Sequence, residues 1–92
     1  IGTQTSVMIA RAPGRLARSE WTPATRTLIA KGSGARRKDG RLEVFVPLDS
    51  QLRFSRSGLR DFKPKPLGSG TLLTFLPNGG KWSIRVTATK VR

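Results

Sequence analysis

A chain of 92 residues with neither cysteine nor histidine supports one small core, without a disulfide framework and without the commonest metal ligand and general base. Eighteen Lys and Arg stand against five acids, a formal charge of +13 that draws the chain toward polyanions. No apolar run reaches the length of a bilayer span, so no membrane partner is expected, and Ile1-Gly2-Thr3-Gln4 does not read as a signal peptide.

Apolar residues recur with a period of two nearly everywhere, and no stretch of a dozen residues carries a helical stripe. In chain order, the first expected strand runs from Thr5 to Arg11, with Val7 and Ile9 on one side. Pro13-Gly14 turns the chain into a second strand, Arg15 to Trp21. The segment "TPAT" at Thr22 to Thr25 turns it again into a third, Arg26 to Lys31, which together read as a meander. The stretch "KGSGARRKDGR" is then a loop by composition, ending in the turn pair Asp39-Gly40. Its basic run is either a solvated loop or a steering patch for anions.

The cleanest strand is Arg41 to Pro47, where Leu42, Val44 and Val46 share one face and Glu43 and Phe45 the other. A short strand follows at Gln51 to Ser55. The prolines of "RDFKPKPLGSG" argue against a central strand, so this stretch reads as a long connection crossing between sheets. Thr71 to Leu76 and Lys81 to Lys90 are expected to pair as a hairpin through "PNGG". The sum is an all-β chain, a small immunoglobulin-like β-sandwich of about seven short antiparallel strands in a single domain covering residues 1–92. A first residue other than Met fits a processed chain or a module of a longer enzyme.

Chemistry is thinly provided. The carboxylates are Glu20, Asp39, Glu43, Asp49 and Asp61, and their spacing sets no pair across a cleft. The serines lack a histidine partner and an elbow motif, and neither glycine-rich stretch matches a phosphate loop. The expectation is therefore a non-enzyme without a cofactor or metal. A structural calcium ion on Asp39, Asp49, Asp61 and loop carbonyls has the right oxygen chemistry, but the positive surroundings oppose it.

The aromatics are the better lead, with two Trp, four Phe and no Tyr. Trp82 is in phase with Ile84 and Val86, so it either closes one end of the core or stands beside Gly79-Gly80 as a flat platform. Trp21 lies at a strand end before a turn, and Phe45 is out of phase with its own core face. Phe54, Phe62 and Phe75 suit packing. The candidate ligand-binding set is Trp82 and Trp21, then Phe45, with Glu43 and Arg41 as polar neighbours. The cations, Arg11, Arg15, Arg18, Arg26, Arg36, Arg37, Arg41, Arg53, Arg56, Arg60 and Arg85 among them, are spread along the whole chain, which suits a solvated exterior as well as a binding stripe.

The stretch "LARSEWTPATRTLIAKGSGARRKDGRLEVFVP" resembles the opening strands of immunoglobulin-like accessory modules of bacterial polysaccharide-degrading enzymes. The elements that carry the likeness are Trp21, the Pro23 to Thr25 turn, Thr27 and Leu28, the glycine-rich loop Gly32 to Gly40, and the strand Leu42 to Pro47. The closing "GGKWSIRVTA" is similar to a last strand of such modules. Among them the chain looks like the β-glucan-binding modules of carbohydrate-binding module family 81. The likeness is one of pattern and carries no site residue over position by position. It implies a secreted, extracellular, non-catalytic module attached to a glycoside hydrolase, taking cellulose- or xyloglucan-type β-glucan chains by stacking sugar faces on aromatic rings. A charge of +13 serves no purpose toward a neutral glucan, although it suits adhesion to acidic cell-wall material. The rival expectations are a nucleic-acid-binding β-domain, with rings stacking bases and cations meeting phosphates, and a structural or assembly domain.

Overall fold

The computed structural model describes residues 6–48 and 50–90; the expected strand start at Thr5 and the candidate calcium ligand Asp49 lie outside the described residues. Among the described residues eight strands form: β1 (Met8–Arg11), β2 (Arg15–Thr22), β3 (Thr27–Ser33), β4 (Leu42–Pro47), β5 (Ser50–Ser57), β6 (Leu59–Leu67), β7 (Gly70–Pro77) and β8 (Trp82–Lys90), with a 3-10 turn at Arg37–Asp39. They build two antiparallel four-stranded sheets. Sheet I has the order β1-β4-β7-β6 and sheet II the order β2-β3-β8-β5. This is the small all-β sandwich that the period-two pattern predicts.

The two inner faces follow from alternation. Leu42, Val44 and Val46 of β4 with Leu73 and Phe75 of β7 meet Leu28 and Ala30 of β3 and Trp82, Ile84, Val86 and Ala88 of β8, and all of them are buried. Side chains of this kind contribute about 1.5–3 kcal/mol each when buried, which is what holds so short a chain together. Three phenylalanines tie the edge strands to this core. Phe62 of β6 stacks on Phe75 at 5.2 Å between ring centroids, while Phe54 of β5 meets Phe62 at 5.0 Å and Phe75 at 5.6 Å. The Arg56 guanidinium lies 5.6 Å from the Phe75 ring centre and covers that side.

Three expected local features are corrected. The "PNGG" turn does not close a hairpin, because β7 belongs to sheet I and β8 to sheet II. The Asn78 N–H donates to the Gly58 carbonyl at 3.0 Å, which continues the β6–β7 ladder by one pair and fastens the start of the turn at the β5–β6 corner, away from β8. Likewise the Pro13-Gly14 turn leads from sheet I to sheet II, and only β2 and β3 of the expected meander pair with each other. Finally, the proline-containing stretch is strand β6 itself. It lies at the edge of sheet I, where Pro64 and Pro66 sit opposite Leu73 and Thr71 and their missing N–H groups break no central ladder.

β5 and β6 are consecutive, yet they lie in different sheets. Gly58, at φ +72°, makes the corner, and a Cβ there would stand 2.2 Å from the Lys81 carbonyl oxygen. Opposite, Arg26 closes the turn before β3 in a left-handed conformation, φ 51°. Its Nε donates to the Ala88 carbonyl at 2.7 Å and its guanidinium reaches Ser50 Oγ at 2.9 Å, which fastens the turn to β8 and β5.

Candidate functional site

The outer face of sheet II is set by the same alternation that fills the core. With Leu28, Ala30, Ile84, Val86 and Ala88 turned inward, Thr27, Ile29, Lys31 and Ser33 of β3 and Ser83, Arg85, Thr87 and Thr89 of β8 turn outward. The register extends the face to both edges. Arg18 pairs with Lys31 and Glu20 with Ile29 on one side, while Ser57 pairs with Ser83, Ser55 with Arg85 and Arg53 with Thr87 on the other. A bulge at Ala17 shifts β2, beyond which Arg15 stands opposite Ser33.

This face is basic and hydroxyl-rich. Arg15, Arg18, Lys31, Arg53 and Arg85 are all exposed, and the acid that faces outward with them, Glu20, is held by the Arg18 guanidinium. Three shallow depressions run along it. The first is lined by Ala17, Lys31, Gly32, Ser57, Lys81 and Trp82; the second includes Arg18, Ile29 and Arg85. The third, the largest of them at about 600 Å³, is lined by Arg53, Phe54, Ser55, Arg85, Thr87 and Thr89. A flat face of this kind suits an extended polymer better than a small enclosed molecule.

The aromatic candidates are distributed otherwise than the sequence suggests. Trp82 is a core residue, 2% exposed. It sits opposite Gly32 in the ladder, and a Cβ on Gly32 would lie 2.3 Å from Trp82 Cζ2, so the glycine is the space into which the indole packs. The expectation of an open platform beside Gly79 and Gly80 is thereby corrected: alternation puts Trp82 on the same side as Ile84 and Val86. Its Nε1 has no hydrogen-bond partner among the protein's own described groups. Trp21, opposite Leu28, is half-buried and packs against the core from the β2 edge.

The other three candidates lie on the outer face of sheet I, away from both tryptophans. Phe45 pairs with Met8 and Leu72 and is half-buried beside an apolar hollow that Leu67 and Ser69 also line. Glu43 lies one pleat along the same strand, opposite Arg11 and Thr74. Arg41 is committed to the fold. Its Nε donates to Thr74 Oγ1 at 3.1 Å, one guanidinium nitrogen donates to Asp61 Oδ2 at 2.8 Å, and the other reaches the Asp61 and Thr74 carbonyls. This strap joins β4 to β7 and β6. It also holds the Asp61 carboxyl below the ordinary aspartate range, chiefly through the hydrogen bond from Arg41, with Lys63 at 3.9 Å adding to the effect.

No side-chain cluster among the described residues unites three possible metal-ligating groups. Asp39 accepts the Arg36 backbone N–H at 2.8 Å and so closes the loop before β4. Sequence reasoning counts Arg15, Arg53 and Arg85 among the cations spread along the chain, and what it misses is their grouping with Lys31 and the serines between them. The signal was present: each occupies the outward phase of its own alternating strand, but seeing them as one surface requires the pairing order of β2, β3, β8 and β5.

No protein-family model matches the chain, and neither a curated protein nor a solved structure matches it. The class that fold and surface define is a small all-β sandwich whose outer sheet II face is basic and hydroxyl-rich.

Proposed function

We propose that the chain is a non-catalytic binding domain that holds a linear polyanion on the outer face of sheet II. The observation that carries this reading is the composition of that face: five exposed cations on four adjoining strands, with the outward acid Glu20 already paired to one of them. Cations set on paired strands keep their backbone spacing when the ligand arrives, so the ordering entropy lost on binding is that of the side chains and not of the chain that carries them. The hydroxyls of Ser33, Ser55, Ser83, Thr27 and Thr87 offer donors and acceptors between the charges. Excess charge elsewhere steers the polymer in from a distance.

The test separates this face from mere net charge. The triple variant Lys31→Gln, Arg53→Gln, Arg85→Gln and the triple variant Arg60→Gln, Lys63→Gln, Lys65→Gln lower the charge equally, the first on sheet II and the second on sheet I. Retention on an anionic polymer gel is expected to drop sharply for the first and little for the second, with both melting near the parent. Equal losses in the two variants reject the assignment to sheet II.

A second reading keeps a neutral β-glucan chain and places it on sheet I. It is supported by Phe45, the outward-facing phenylalanine of β4, with Glu43 one pleat away and the apolar hollow of Met8, Leu67 and Leu72 beside it. Phe45→Ala then abolishes binding to a cello-oligosaccharide that is insensitive to salt, and a parent protein that ignores such oligosaccharides rules this reading out.

A further inference from the structure

The cations of sheet II are not scattered over the face. Arg15 of β2 stands opposite Ser33 of β3; two residues along β3, Lys31 stands opposite Ser83 of β8; two residues along β8, Arg85 stands opposite Ser55 of β5; two residues along β5 lies Arg53, opposite Thr87. Each step crosses one strand and moves one pleat in the same direction, about 7–8 Å at a time. Arg15, Lys31, Arg85 and Arg53 therefore form one straight diagonal over all four strands. Ser33, Ser83 and Ser55 form a second line directly beside it. Arg18 lies off this diagonal and is occupied by Glu20.

Resting on the polyanion reading above, we infer that the ligand is a carboxylated polysaccharide, a polyuronate chain, lying along this diagonal with its carboxylates on Arg15, Lys31, Arg85 and Arg53 and its ring hydroxyls toward the serine line. Each cation on the diagonal has a hydroxyl beside it, and a polyuronate, with a carboxylate among several hydroxyls on every sugar, can turn every second carboxylate to the row while its hydroxyls meet the serines. Three of the four cations are arginines, whose planar fork receives a carboxylate through two parallel hydrogen bonds. A single row of charges follows one chain, whereas a duplex presents two backbones. No aromatic side chain is turned outward from sheet II among the described residues, since Trp21, Phe54 and Trp82 all face the core. A single nucleic-acid strand would thus forgo the base stacking that supplies much of its affinity.

The experiment is titration calorimetry with polygalacturonate, its fully methyl-esterified form and a single-stranded oligothymidylate, all at one ionic strength. The parent is expected to bind polygalacturonate best and the ester at least about tenfold more weakly, the size expected when a charged hydrogen bond is lost. Arg15→Gln, Lys31→Gln, Arg85→Gln and Arg53→Gln should each weaken polygalacturonate about three- to tenfold. Lys65→Gln, which lowers net charge by the same one unit but on the outer face of sheet I, should bind like the parent. If that variant loses as much as the four, the diagonal path is wrong. Oligothymidylate bound more tightly than polygalacturonate, with the same four residues required, leaves the polyanion face standing and overturns the uronate assignment. Binding of no anionic polymer at all brings down the underlying reading as well.

Discussion

Gly32 and Trp82 face each other across β3 and β8, and each accounts for the other. The indole can lie flat on the strand because its partner has no Cβ, and the glycine is tolerated in mid-strand because the ring covers it. Trp82→Ala empties the largest single volume at this end of the core and should cost about 3–5 kcal/mol in denaturant unfolding, a loss that a domain of this size barely survives. Gly32→Ala forces the ring aside and should cost about 1–3 kcal/mol by the same measurement. Since the indole Nε1 bonds to none of the protein's own groups, Trp82→Phe breaks no hydrogen bond within the chain and keeps most of the ring's packing, and its cost falls below that of Trp82→Ala. The Arg41–Asp61 strap titrates. The Asp61 carboxyl is depressed in the folded chain, so its contribution is present above the ordinary aspartate value and is lost as pH falls through the lower folded value. Asp61→Asn, which tolerates the left-handed φ of 55° at this position, should therefore show a smaller drop in melting temperature than the parent between about pH 5 and about pH 2.

At the scale of the strand, edges are the risk in a sandwich that does not close. Four strands, β1, β6, β2 and β5, are edges, and each is blunted differently. β1 has only four residues, β2 carries a bulge at Ala17, and β6 carries Pro64 and Pro66. On β5 the protection is electrostatic, through Arg53 and Arg56. Pro64→Val combined with Pro66→Val should leave the fold intact, since both positions already hold extended backbone, while restoring two N–H groups on an edge. Light scattering against protein concentration is expected to show self-association in that variant and none in the parent. A parent and variant equally monomeric would mean that the prolines are not the guard of this edge.

Across the whole molecule, the two outer faces divide their roles. Both carry exposed cations, Arg11, Arg60, Lys63 and Lys65 on sheet I among them, but sheet I adds apolar surface at Met8 and Leu67, which are 44% and 40% exposed, and spends Arg41 on an internal strap. Sheet II shows cations and hydroxyls. With four charges on its diagonal, affinity for a strand-like polyanion should fall with salt to roughly the third power, so that a fourfold rise in ionic strength costs on the order of fiftyfold. A salt-independent titration against every anionic polymer contradicts this. Neutral glucan held on Phe45 should ignore the same change.

Alternation alone determined that the chain is all-β, that Leu42, Val44 and Val46 face the core with Phe45 on the other side, and that Ile84 and Val86 are inside; each of these depends only on the two-residue repeat of an extended backbone. By the same repeat Trp82 belongs inside, and its phase outweighs the glycines that neighbour it in the chain. Local turn chemistry marked where the chain bends at Pro13-Gly14 and Asn78-Gly79 but not which sheet it enters next. That choice belongs to the tertiary structure, because it depends on distant partners: Asn78 on Gly58, and β8 lying between β3 and β5. The cationic diagonal was decided there too. Arg15, Lys31, Arg85 and Arg53 are far apart in the chain and become neighbours only when four strands settle into one order and one register, and a slip of a single residue in any of them would turn its cation toward the core.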